Sequence, residues 1–179
     1  MPHRRKFVVL LAAAIAWVGV AAPAQAWESK SEKVTALKNG VKFYRQATWR
    51  WQLSMGEWRT PTSYHEKWAK GIPYLRWIAK LWVNRAAQVK FKAQNPPHKR
   101  EWLCIHRYEG AWNDPNSPYF GGLQMDLEFQ QTYGPKLLKK KGTADHWTPL
   151  EQMWVAEKAH RSGRGFYPWP NTARYCGLI

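Results

Sequence analysis

Two adjacent prolines, Pro96 and Pro97, place the firmest limit on how this chain can fold. Proline lacks the backbone N–H that a helix interior needs, and it restricts the residue before it, here Asn95. Because no helix can run through this point, the chain divides there into two parts. We predict a Trp-rich basic helical segment over residues 27–95 and a second, separately packed domain over residues 96–179.

The first 26 residues have the three parts of a secretory signal peptide. A basic Arg-Arg-Lys run at residues 4–6 precedes an apolar core over residues 7–20, and Ala-Gln-Ala at residues 24–26 is a small-x-small cleavage site. A membrane anchor would need about 20 apolar residues, whereas this core is shorter and breaks at Pro23. We therefore predict cleavage after Ala26, export to the cell exterior and wall, and no stable membrane anchor.

The chain is strongly basic, with 28 Lys and Arg against 12 Asp and Glu and a net charge of +16. Loss of the three basic residues of the leader leaves +13. The electric field of this positive charge attracts any polyanion. Outside the cell the available polyanions are surface and wall polymers, so we expect those as partners and do not expect nucleic acid.

Cys104 and Cys176 are the two cysteines of the chain. In an exported protein a disulfide between them is the expected state. It would close a loop of about 73 residues, which the chain-entropy model values at roughly 4 kcal/mol.

The segment over residues 27–95 contains two helical patterns. One covers residues 32–51, and the other begins at Pro73, a residue suited to a first helical turn. The second pattern carries an apolar stripe at helical spacing: Tyr74, Trp77, Ile78, Leu81 and Trp82. Such a stripe more often packs as core than binds a ligand, so we predict a helical hairpin that packs on itself or on the downstream domain. Binding of anionic wall polymers, or insertion into lipid, is the alternative for this segment.

The downstream part has short helices with clear ends. The first ends at Gly110, the second begins at Asp126 as its N-cap, and the third begins with a capping box between Thr148 and Glu151. Loops of glycine, proline and aromatic residues join them.

Glu109 is the acidic residue best placed for catalysis. It lies at a predicted helix C-terminus, where the helix dipole disfavours negative charge, and Tyr108 and Trp112 can shield it from water. Both effects favour the protonated carboxyl that a general acid requires. An exposed carboxylate at a helix end is the alternative.

Metal chemistry has little support in the sequence. His106 with Glu109, and Glu157 with His160, each stand one helical turn apart, but a dimetal site needs further bridging carboxylates. Two cysteines do not make a zinc site unaided. We expect neither a metal nor another cofactor.

The loop that follows Glu109 has the composition of a sugar-binding surface. Trp112, Asn113 and Tyr119 supply aromatic faces and an amide, the groups that stack on sugars and bind their hydroxyls. Gly122, in a Gly-Gly pair, allows a close approach of the backbone to a bulky ligand. A purely structural bend is the alternative for the glycine pair.

These motifs occur in the order typical of a known family. The motifs are, in chain order, Trp102, Glu109, the Trp-Asn pair at 112–113, the Tyr-Phe-Gly-Gly-Leu-Gln run at 119–124, the Tyr-Gly pair at 133–134, the Glu-Gln pair at 151–152, the Ala-Glu pair at 156–157 and the Trp-Pro pair at 169–170. Residues 98–179 thus resemble the resuscitation-promoting factor or transglycosylase-like domain of secreted actinobacterial proteins. The sequence departs from the family at three points: Cys104 lies five residues before the glutamate instead of directly before it, Gly110 and Ala111 replace a Ser-Gly-Gly run, and Phe129 replaces a frequent threonine.

The resemblance implies a lysozyme-like α+β domain, mainly helical, whose substrate is the glycan of peptidoglycan. It identifies Glu109 with the catalytic glutamate, and Tyr119 and Gln124 with groove residues. It implies a lytic transglycosylase, in which one glutamate acts as acid and then as base. A two-carboxylate hydrolase would need Asp114 as its second acid. A cationic wall-binding protein without activity, and a membrane-active Trp-rich protein, are the alternatives from other classes.

Overall fold

The computed structural model describes residues 29–179, so the predicted signal peptide lies outside the described residues. The helices are α1 (Lys30–Ser54), α2 (Tyr64–Trp68), α3 (Ile72–Gln94), α4 (Lys99–Glu109), α5 (Leu127–Tyr133), α6 (Pro135–Lys141), α7 (Pro149–Ala159) and α8 (Pro170–Tyr175). A 3-10 turn at Ala144–His146 precedes α7, and a π-helical turn at His160–Arg164 follows it.

Helices α1 and α3 form the predicted hairpin. Ser29 begins α1 with a capping box to Glu32, and a proline in the first turn begins α3. Ile78 and Trp82 are completely buried between the two helices, as the apolar stripe predicted. Tyr74 and Trp77 of that stripe are instead exposed, with stacked rings whose centroids lie 5.5 Å apart. One edge of the apolar stripe, with Ile78 and Trp82, is therefore buried in the core, whereas the other edge, with Tyr74 and Trp77, is exposed.

The downstream part packs around α7, most of whose residues are buried. The core of this part contains Trp102, Ile105, Leu123, Met125, Phe129, Leu137, Ala144, Trp147, Met153, Val155, Ala156, Ala159 and Trp169. The predicted capping box is present, since the Thr148 hydroxyl accepts from the N–H of Glu151. The predicted N-cap at Asp126 is present too, accepting from the N–H of Phe129 at 2.6 Å.

A buried carboxylate links α7 to the start of α4. Glu157 is completely buried and accepts hydrogen bonds from the backbone N–H of His98, at 2.7 Å, and from the indole N–H of Trp102, at 2.8 Å. The Glu-His pair that resembled a metal motif thus serves to join two helices, with the glutamate accepting bonds from polar hydrogens.

The hairpin and the downstream part share a small apolar contact. Trp154 packs with Met55 and Ala93, and its indole N–H donates to the carbonyl oxygen of Ala93 at 2.8 Å. Lys158 extends beneath Gly56, which has a φ of +65°, and donates to the carbonyl of Tyr133. Burial lowers the pKa of Lys158, and the nearby Lys136 and Arg161 add to this effect.

The mainly helical part of the fold prediction is confirmed, whereas the lysozyme-like α+β arrangement is not. Across residues 29–179 the only β pairing is an isolated antiparallel bridge between Phe120 and Met125. The connection between α4 and α5 contains Pro115 and Pro118, which cannot donate to a strand ladder. No helix within residues 29–179 has the length and apolar character needed to span a bilayer.

Candidate active site

Glu109 is the last residue of α4 and is half-buried. Gly110 ends the helix in extended backbone rather than in the left-handed turn that a helix-ending glycine usually adopts. Packing accounts for glycine here, because a Cβ on Gly110 would lie 3.1 Å from the side-chain nitrogen of Gln124 and 3.3 Å from Oδ2 of Asp114. The end of α4 is thus pressed against the following loop.

The carboxylate of Glu109 is held by a residue from the far end of the chain. The hydroxyl of Thr172, in α8, donates to Oε1 of Glu109 at 2.7 Å. Thr172 is itself almost fully buried. Within residues 29–179, Oε1 is the only carboxylate oxygen of Glu109 with a hydrogen-bond partner.

The disulfide fastens the same two helices. Cys104 of α4 is bonded to Cys176, the residue that ends α8, with Cα atoms 6.0 Å apart. The predicted pairing of the cysteines is therefore confirmed. It places the cross-link and the bond between Glu109 and Thr172 on one contact between α4 and α8.

Asp114 organises the loop instead of standing free as a second acid. Its Oδ1 accepts from the backbone N–H of Asn116 and from that residue's side-chain amide. Its Oδ2 accepts from the side-chain nitrogen of Gln124 at 3.0 Å. Both carboxylate oxygens are thus occupied by loop contacts.

Gln124 occupies an unusual backbone conformation at the centre of this loop. Its φ is +46°, in the left-handed region that residues other than glycine rarely adopt. Its side-chain amide donates to the carbonyl of Gly121 as well as to Asp114. The strained backbone and the two bonds fix the direction of the amide.

A groove of about 200 Å³ lies beside this loop. Its lining includes two predicted site residues, Tyr119 and Gln124, together with Met125, Asp126, Glu128, Phe129, Thr132, Arg164, Pro168 and Trp169. Tyr119 is half-exposed and presents an aromatic ring to solvent.

Glu109 does not line the groove but is connected to it at two points. Its chain neighbour Gly110 packs on Gln124, and its hydrogen-bond partner Thr172 lies three residues after Trp169. The glutamate is therefore linked, through Gly110 and Thr172, to two residues that line the groove, Gln124 and Trp169.

Three predicted binding residues lie elsewhere. The Trp112 ring stacks on His106 with centroids 3.9 Å apart, and Gly122 packs beneath that pair. A Cβ on Gly122 would lie 2.6 Å from Nδ1 of His106, which donates to the Gly122 carbonyl. Asn113 is exposed on the loop. Trp112 and Gly122 pack against His106, and neither lines the groove.

No family model, curated protein or solved structure matches this chain. Membership of the resuscitation-promoting factor family, based on the order of motifs, stays a prediction. The site must be judged on its own geometry.

The sequence reasoning missed several residues of this site. Thr172 was missed because 63 residues separate it from Glu109. Arg164 and Thr132 have no motif of their own. The cysteines did contain a usable signal for Thr172, since each lies within five residues of one member of the Glu109–Thr172 pair.

Chemically, the site combines one carboxyl with an open groove of mixed character. Among residues 29–179 no group of three or more His, Cys, Asp and Glu side chains is arranged to hold a metal ion. A half-buried carboxyl with one oxygen held by a hydroxyl is a group suited to general acid–base chemistry on a ligand that reaches it. Aromatic rings, an amide and an arginine along the groove are the groups that bind sugars and their acidic substituents.

Proposed function

We propose that the protein is a secreted peptidoglycan-cleaving enzyme, a lytic transglycosylase with Glu109 as its catalytic residue. The bond cleaved is the β-1,4 linkage between N-acetylmuramic acid and N-acetylglucosamine. The observation that carries the proposal is the carboxyl of Glu109, fixed through Oε1 by Thr172 beside a groove that Tyr119 and Gln124 line.

In the proposed reaction Glu109 acts twice. Protonated at Oε2, it donates to the leaving oxygen as the glycosidic bond breaks. The ionised carboxylate then takes the proton of the muramic acid C6 hydroxyl, whose oxygen closes an anhydro ring on C1. No water is consumed, and Glu109 ends protonated as it began.

The state of Asp114 favours this scheme over hydrolysis. A hydrolase of the usual kind needs a second carboxylate as nucleophile or base. Both oxygens of Asp114 accept hydrogen bonds from its own loop, which leaves that carboxylate poorly suited to either role. The lysozyme-like arrangement of the domain belongs to the same proposal and rests on the motif order.

The test is mass spectrometry of soluble products from purified peptidoglycan. We expect the mature protein to release fragments one water lighter than ordinary muropeptides, and Glu109→Gln to release none. Asp114→Asn, the matched control, should give the same light products at a lower rate. Reducing-end products would contradict the transglycosylase mechanism, and full activity of Glu109→Gln would remove Glu109 from the reaction.

The second candidate is a cationic wall-binding protein without activity. Two exposed tryptophans between α1 and α3, Trp58 and Trp68, favour this function. It predicts equal retention of wild type and Glu109→Gln on the wall, with no products from either.

A further inference from the structure

The hairpin and the downstream part enclose a second groove, separate from the candidate active site. It has a volume of about 600 Å³ and lies between the loop after α1 and helix α6. Its lining consists of Leu53, Glu57, Trp58, Arg59, Lys136, Lys139 and Lys140. Four of these seven residues are basic.

The positive charge of this groove is not neutralised locally. Over residues 29–179 no carboxylate oxygen lies within ion-pair distance of Arg59, Lys136, Lys139 or Lys140. The carboxylate of Glu57 is directed to Lys92, with an Nζ to Oε1 distance of 2.6 Å. The remaining lysine of α6, Lys141, pairs with Glu151 instead. The three lysines that line the groove are therefore available to an anion.

Trp58 places an aromatic face in the same groove. The side chain is 83% exposed, which is unusual for the largest apolar residue type. Nζ of Lys136 lies 3.6 Å from its ring centroid, a cation–π contact that holds the ring next to a positive charge.

The loop that carries Trp58 is held firmly by α1. Gln52 donates to the hydroxyl of Thr60 at 2.8 Å and accepts from its backbone N–H at 2.9 Å. Trp49 donates to the carbonyl of Thr60 at 2.9 Å. The exposed tryptophan is thus presented on an ordered loop, so that little conformational entropy is lost when it binds a ligand.

We propose that this groove is a second binding site for the peptidoglycan strand, with Trp58 stacking on a sugar ring and the lysines binding carboxylates. The strand has the matching chemistry, because its sugar rings carry stem peptides with free carboxylates. Lipid headgroups and polyol phosphates supply anions without a sugar ring for Trp58. The choice of ligand rests on the proposed function; the groove and its charge do not.

The experiment measures retention of the full mature protein on insoluble peptidoglycan stripped of phosphate polymers. All variants carry Glu109→Gln so that the wall stays intact. Trp58→Ala, and separately the triple variant Lys136→Gln, Lys139→Gln and Lys140→Gln, should each weaken binding about tenfold. Binding of the parent should also weaken with added salt more steeply than binding of the triple variant.

The controls remove the same groups from outside the groove. Trp77→Ala deletes another exposed tryptophan, and Lys70→Gln, Lys80→Gln and Lys90→Gln together remove the same charge from exposed lysines. We expect both control proteins to bind within about twofold of the parent. Trp77 does not line the groove, and long-range attraction by the three surface lysines is screened by salt.

Equal losses in the groove and control variants, or no loss in either, would overturn the proposal. Tighter binding to vesicles of anionic phospholipid than to peptidoglycan, with the same dependence on Trp58, would replace the glycan with a lipid surface. The catalytic proposal is tested separately, with the protein that retains Glu109. If that protein binds through the groove but releases no cleavage products, the catalytic proposal fails and the groove proposal stands.

Discussion

At the scale of single residues, the pair formed by Glu109 and Thr172 decides what the site can do. A carboxyl at the end of a helix is ordinarily free to rotate in water. Here a buried hydroxyl binds one of its oxygens at 2.7 Å. Thr172 is therefore best described as a positioning residue for the proposed acid and base.

Thr172→Val removes the hydroxyl while keeping the side-chain shape. We expect kcat for peptidoglycan cleavage to fall about tenfold with KM little changed, because the proton-transferring oxygen is no longer fixed. Thr172→Ser should restore most of the rate. A purely structural role for Thr172 would instead show a fall in melting temperature, with no rescue of kcat by serine.

Gly122 shows that a glycine in a Gly-Gly pair can be required by packing. Gly122→Ala places a methyl 2.6 Å from His106 and 2.7 Å from the Trp112 ring. We expect the free energy of unfolding to fall by about 1–3 kcal/mol, as in other overpacked sites.

Gly40→Ala is the control for that substitution. Gly40 lies inside α1 with no atom near the position of a new Cβ. Alanine there should raise the unfolding free energy by about 0.5–1 kcal/mol, because glycine weakens helix interiors. Urea titration measures both changes, and changes of the same sign would contradict this account.

At the scale of elements, α4 and α7 meet in a cluster of rings around a buried carboxylate. The rings of His160 and His98 are tilted by 37° with centroids 4.1 Å apart, and Phe166 packs on both. Burial lowers the pKa of His160 below its ordinary value near 6.5, and the electrostatic influence of His98 adds to this, against the opposing influence of Glu157 and Glu101.

This lowered pKa predicts a loss of stability in mild acid. As the pH falls through 6.5, His160 takes up a proton in the unfolded chain before it does so in the native protein. The unfolding free energy should therefore fall between pH 6.5 and the lower native pKa. His160→Gln should make that fall shallower in urea titrations at a series of pH values. An identical pH profile for both proteins would contradict the prediction.

At the scale of the whole molecule, two cross-connections organise the chain. The disulfide joins α4 to α8, and Trp154 joins α7 to the end of the hairpin. The first holds the proposed catalytic pair together, and the second holds the hairpin against the downstream part.

Removal of the disulfide should lower both the free energy of unfolding and the rate of peptidoglycan cleavage. Cys104→Ala with Cys176→Ala should lower the unfolding free energy by about 2–4 kcal/mol. Cleavage should weaken as well, because the variant loosens the contact that carries Glu109 and Thr172. Reductant should reproduce both effects in wild type and leave the double variant unchanged. A double variant as stable as wild type would contradict this role of the cross-link.

The sequence by itself determined the local features of this protein. The break at Pro96, the N-cap at Asp126, the capping box at Thr148 and the pairing of the cysteines depend on near neighbours or on the presence of only two thiols, and all are present in the structure. Helical periodicity identified the buried edge of α3, since the period of a helix fixes which side chains share a face.

Only the tertiary structure decided which residues share a site. Thr172 binds Glu109 because α8 packs on α4. The ring of Trp112 stacks on His106 and does not line the groove. The groove under Trp58 exists only where the hairpin loop approaches α6. Side chains distant in sequence meet through packing between elements, and periodicity within one element contains no information about that packing.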